Sequence, residues 1–130
     1  YNDIAELLRK ISSLAPATRI KLSVSIFSPK PQTPLSWAGM PTLRELKKRV
    51  KAFLSTIKKI PNIDIRIPSP RAAKIQTAIA RGFNVAQNTI KKLDEITGEL
   101  NPDNFFSWEI VDTGISKKKL KDIYARVSDI

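Results

Sequence analysis

Between Phe27 and Trp37 the chain reads FSPKPQTPLSW. Pro29, Pro31 and Pro34 each lock φ and remove an amide donor, so the segment is held in one extended shape with little unfolded-state entropy to lose. On that frame Lys30, Gln32, Thr33 and Ser36 offer polar contacts, while Phe27 and Trp37 offer flat apolar surfaces suited to an adenine or a similar ring. The chemistry these residues can do is recognition. The plain alternative is a rigid surface loop whose Trp37 only closes the core.

Bond-making chemistry has few other places to sit. In 130 residues there is no cysteine and no histidine, which removes disulfides, Cys/His zinc sites, iron–sulfur ligation within the chain and every Cys or His nucleophile or base. Asp94 with Glu95, and Asp112, form no acid–base carboxylate pair. There is no phosphate-loop or dinucleotide glycine motif. Ser69-Pro70-Arg71 could present a helix N-terminus and a cation to an anion, although an ordinary capped helix after a strand is the simpler explanation.

Those residues must be positioned by elements, and the periodicity defines them. Asp3–Leu14 has Ile4, Leu7, Leu8 and Ile11 at helical spacing, with Asp3 and Glu6 as a capping box and Pro16 as a stop. Residues 20–27 alternate, with Ile20, Leu22, Val24 and Ile26 on one face and Lys21, Ser23, Ser25 and Phe27 on the other, which predicts a strand. Thr42–Glu45 is a second capping box. It opens a helix with Leu43, Leu46, Val50, Phe53, Leu54 and Ile57 on its apolar stripe. Residues 62–67 predict a second strand, with Ile63, Ile65 and Ile67 inward. Ser69 then caps a helix carrying Pro70 at its first position and Gly82 as its stop. Further helices are expected over Asn84–Thr97 and, capped by Ser116, along Leu120, Ile123, Tyr124 and Val127; Asp103–Val111 reads as a helix or an extended piece, with helix preferred.

The αβαβ order of the first half is that of parallel βα units, and two strands are too few to complete a doubly wound sheet or barrel. The expected fold class is α/β: residues 1–82 form a late αβαβα segment with parallel strands 20–27 and 62–67, and residues 83–130 form a helical C-terminal extension. The chain opens on Tyr, which with the missing chemistry suggests a fragment. The net charge of +11 is uneven: residues 1–65 carry 12 basic against 4 acidic side chains, residues 66–130 carry 11 against 8. Such a field attracts polyanions. Lys47–Lys51 (KKRVK) and Lys117–Lys121 (KKKLK) could contact RNA phosphates or be solvated helix faces. No window approaches the ~18 apolar residues of a membrane span, and no secretory signal is visible, so a cytoplasmic location is expected.

The runs IKLSVSIFSPKPQTPLSWAGM, TLRELKKRVKAFLSTIKK and IDIRIPSPRAAKIQTAIARG resemble the late barrel and post-barrel region of radical S-adenosylmethionine proteins. The likeness is strongest to the group with an N-terminal cobalamin-binding-type domain; tRNA methylthiotransferases carry a looser version of the loop. It spans Asp3 to Gly82 and returns in WEIVDTGISKKKLKDIYARV. The resemblance implies a fragment of a partial TIM-type barrel. The complete enzyme would bind a [4Fe-4S] cluster and S-adenosylmethionine, whose reductive cleavage yields a 5′-deoxyadenosyl radical; cobalamin is left open. Ser25, Phe27, Pro29, Lys30, Pro31, Thr33, Pro34 and Trp37 match as late-strand wall and loop at the cofactor or substrate mouth. None of them would be the radical's source, and the family's three-cysteine motif is not in this chain, so its cluster ligands would lie upstream. The implied partner is that upstream remainder, and the chain alone would be inert. Two other readings compete: a stand-alone basic RNA-binding module using residues 42–60, and a non-catalytic interaction domain that dimerises through its exposed barrel edge.

Overall fold

The computed structural model describes residues 1–83 and 92–128. The described chain is mixed α/β, mostly helical, with one two-stranded parallel sheet. It divides into two compact units: Tyr1–Ile26 with Arg44–Pro70, and Phe27–Leu43 with Arg71–Ile130. Among the described residues no helix is long and apolar enough to cross a membrane.

The first unit holds α1 (Asn2–Leu14), β1 (Ile20–Ser23), nearly all of α2 (Leu43–Ile57) and β2 (Ile63–Arg66). β1 and β2 pair in parallel, Ile20 opposite Ile63 and Ser23 opposite Arg66. The expected alternation persists from Ile20 to Phe27 in burial, but the paired strands are shorter than 20–27 and 62–67. The last bond across the pair runs from the Val24 amide to the Arg66 carbonyl. Two residues further on Pro68 has no amide to give, which limits the ladder. Asn62 starts the pairing: it sits in the left-handed region at φ 55°, its carbonyl accepts from the Ile20 amide, and its side-chain amide donates to the carbonyls of Ala15 and Thr18 at 3.0 and 2.7 Å. Ala5, Leu8, Phe53, Ile57 and Ile60 form the core, with Leu22, Val24, Ile63, Ile65 and Ile67 packed against it.

α1 departs from its expected form. Its N-cap is Tyr1, with no side-chain cap bond, and Glu6 pairs instead with Lys10 one turn on, at 2.9 Å. Its buried residues are Ala5, Leu8 and Ser12, whereas Ile4, Leu7 and Ile11 are 46%, 57% and 40% exposed.

The second unit contains the proline loop, α3 (Pro70–Ala80, its first residue shared with the first unit), α4 (Leu93–Ile96), a 3₁₀ turn at Ser107–Ile110 and α5 (Lys117–Ser128). Gly82, at φ 81°, ends α3: the Phe83 amide reaches the Ala78 carbonyl and the Gly82 amide that of Ile79, the Schellman pattern that favours glycine. Of the helix expected over 84–97, residues 84–91 lie outside the described residues, and Leu93–Ile96 is helical. Between Asp103 and Val111 a helix does not form beyond the 3₁₀ turn, because Phe106 is extended at φ −124°, ψ 148°. Ser116 caps α5 as expected, accepting from the Lys119 amide.

Candidate functional site

The residues singled out above border two concave places, one in each unit. In the first unit α1 and α2 bury one side of the sheet. On its other side Lys21, Ser23, Asp64 and Arg66 are exposed over a cleft of about 540 Å³. Ser25 continues this polar row and is exposed as well.

In the second unit the proline loop is tied down by its own hydroxyls. Thr33 Oγ1 donates to the Lys30 carbonyl at 2.8 Å and Ser36 Oγ to the Thr33 carbonyl at 2.7 Å, while Ser28 and Thr77 share a hydroxyl hydrogen bond of 2.5 Å. Pro29 is fully buried; Pro31, Thr33 and Pro34 are half-buried, and Lys30 is exposed. Phe27 is 52% exposed and Trp37 only 1%. Of the two rings, Phe27 therefore offers the free surface. Trp37 packs edge-on against Tyr124, ring centres 5.7 Å apart.

Beside this loop lies a cavity of about 300 Å³, lined among others by Gln32, Trp37, Trp108, Asp112, Ser116 and Lys117. Gln32, at φ 60°, donates through its side-chain amide to the carbonyls of Trp108 and Val111 at 2.8 and 2.6 Å. Most polar groups here are engaged. Lys117 pairs with Glu109 at 2.8 Å and donates to the Asn104 carbonyl, and the Asp112 carboxylate accepts from the Gly114 amide. The Trp37 indole N–H has no acceptor among the described residues. Among the described residues that line the cavity, no nucleophile is poised on a base.

The residues that hold the loop in place were not singled out from the sequence. Arg81, 3% exposed, donates to four carbonyls: Ser36 and Ala38 of the loop at 3.2 and 2.8 Å, and Ile96 and Gly98 at 3.1 and 2.7 Å. Burial lowers its pKa, an effect the Tyr124 phenol partly offsets by its charge. Lys74, fully buried, donates to Thr97 Oγ1 at 2.6 Å and pairs with Asp94 at 2.8 Å. Asp94 also accepts from the Leu43 amide at the start of α2. Burial pushes the Asp94 pKa up, but the Lys74 hydrogen bond, the Leu43 amide and the Lys74 charge together bring it below the ordinary value. Gly39 allows the backbones to meet, since a Cβ there would stand 2.7 Å from the Glu99 nitrogen.

Among the described residues no group of three or more His, Cys, Asp or Glu side chains could hold a metal ion. With no cysteine in the chain, its residues do not fit an iron–sulfur cluster. No family model matches the chain, and no match is found among curated proteins or among solved structures.

Proposed function

We propose that this chain is the late part of a radical S-adenosylmethionine enzyme's partial barrel, in which β1 and β2 continue a parallel sheet begun upstream. The observation that carries this is the parallel pair with one open side. Parallel strands occur almost only in larger sheets covered on both faces, whereas here α1 and α2 cover one side and Lys21, Ser23, Asp64 and Arg66 stand exposed on the other. In barrels of βα units the ligand site lies at the carboxyl ends of the strands, and the exposed polar row on the open side runs toward that end, through Ser23 to Ser25.

In this reading Ser25 extends the wall of the barrel, and Phe27, Pro29, Lys30, Pro31, Thr33, Pro34 and Trp37 form a rigid rim at the cofactor or substrate mouth. The rim binds and shapes; the reacting groups come from upstream, and the chain alone is inert. The resemblance of the loop and of the two runs after it supports the reading.

The test is a longer protein that includes the sequence encoded before Tyr1, purified without oxygen. Iron–sulfur absorbance together with release of 5′-deoxyadenosine from S-adenosylmethionine supports the proposal. In the same protein Lys30→Ala and Phe27→Ala should weaken S-adenosylmethionine or substrate binding while iron content stays unchanged. An upstream sequence with no three-cysteine segment, or a protein without iron, overturns it.

A further inference from the structure

On the outer side of α2, a groove of about 360 Å³ has Val50, Leu54 and Pro70 at its base and Lys47, Lys51 and Lys58 along its rim. The three lysines are exposed and the three apolar residues are half-buried. None of these lysines forms an ion pair among the described residues, and the acidic residue on α2, Glu45, lies in its first turn. Val50 and Leu54 are one helical turn apart, as are Lys47 and Lys51, and the rim from Lys47 to Lys58 rises ~16 Å along the axis.

We propose that this groove is the docking site of an acidic amphipathic helix from a partner protein, with two aliphatic side chains one turn apart seated on Val50 and Leu54 and flanking carboxylates facing Lys47, Lys51 and Lys58. The charge selects an anionic partner, and the aliphatic base selects the kind. A nucleic acid would meet no aromatic ring to stack on, and its phosphates would engage the lysines while leaving the aliphatic base of the groove unused. A lipid surface would require well-exposed apolar side chains, and Val50, Leu54 and Pro70 are half-buried. A helix with apolar residues at i and i+4 fits both features. The proposal does not depend on the reading of the loop or of the open sheet face.

The test uses the full 130-residue chain and a labelled helical peptide of roughly 16 residues, with leucines at i and i+4 and glutamates beside them, followed by fluorescence anisotropy. The peptide should bind about tenfold or more tighter than a copy with both leucines replaced by serine. Lys51→Glu should weaken binding about tenfold, and a peptide with lysine in place of the facing glutamate should recover it. Leu54→Asp should abolish the leucine-dependent part; Val50→Ser, at the other aliphatic position of the groove, should reduce that part if Leu54→Asp does not fold. Equal binding of the serine peptide overturns the proposal. So does tighter binding of a uridine oligonucleotide, or of anionic vesicles, that Leu54→Asp leaves unchanged.

Discussion

Arg81 shows what a single side chain contributes to holding the loop. Its guanidinium serves four carbonyls from two stretches of chain, so Arg81→Met leaves four acceptors underserved and should lower stability by about 2–4 kcal/mol, read as the midpoint of denaturant unfolding. Arg81→Lys should recover only part, because an ammonium cannot reproduce the planar fork. Nothing in the local sequence marked this residue, since a basic side chain in the last turn before a glycine stop reads as solvated. Its burial depends on carbonyls around positions 37 and 97. Tyr124 is the second case. Burial, the hydrogen bond to Glu99 at 2.6 Å and the Glu99 charge raise its pKa to about 12, against a smaller opposing effect of Arg81. The folded state thus keeps a proton that the unfolded state loses near pH 10, and stability present below pH 10 should fall as pH rises toward 12. In a Tyr1→Phe protein the remaining tyrosine should ionise, by ultraviolet absorbance, well above the usual range. Replacing Glu99 with Gln should bring it down.

Among the elements, the strands were legible because strict alternation of aliphatic residues, Ile20, Leu22, Val24 and Ile26 in one and Ile63, Ile65 and Ile67 in the other, has few other outcomes. Their parallel pairing followed from the helix between them. Which side of α1 is buried was not legible. Ile4, Leu7, Leu8 and Ile11 share one helical stripe in sequence, yet the helix turns Ala5, Leu8 and Ser12 inward, where Ser12 Oγ donates to the Asn62 side-chain oxygen at 2.5 Å. A polar contact with the residue that starts β2 therefore fixes the rotation of the helix, and hydrophobic periodicity cannot register such a contact. The consequence can be measured. Leu8→Ala should cost about 2–4 kcal/mol, whereas Leu7→Gln or Ile11→Gln should change the stability of this chain by about 0.5 kcal/mol or less. A large loss at Leu7 with none at Leu8 would show that the helix is rotated differently. Caps were a weaker guide: the one at Ser116 formed, whereas the capping box read at Asp3 and Glu6 did not, since Tyr1 is the N-cap and Glu6 pairs with Lys10.

For the whole molecule, the order of elements was readable as far as α3, but the grouping of segments was not. The chain leaves the first unit at Phe27, returns at Arg44 and leaves again after Pro70, and hydropathy carries no sign of such an exchange. A chain ending at Pro70 should keep its parallel α/β unit by circular dichroism. It should also become open to proteases within 27–43, because Arg81 and the segment around Thr97 that hold this loop are gone. Cleavage spread evenly over residues 1–70 would contradict the division. Both tryptophans, Trp37 and Trp108, belong to the second unit, so tryptophan fluorescence follows that unit alone. The pairing of Ile20 with Ile63 also has a consequence in time. During synthesis at ~5–20 residues per second, β1 emerges first and waits for about two to nine seconds before its partner exists. For that interval the backbone amides of a sticky, isoleucine-rich stretch are available to any neighbouring nascent chain, and α2, which forms in the meantime, is the shield closest to hand.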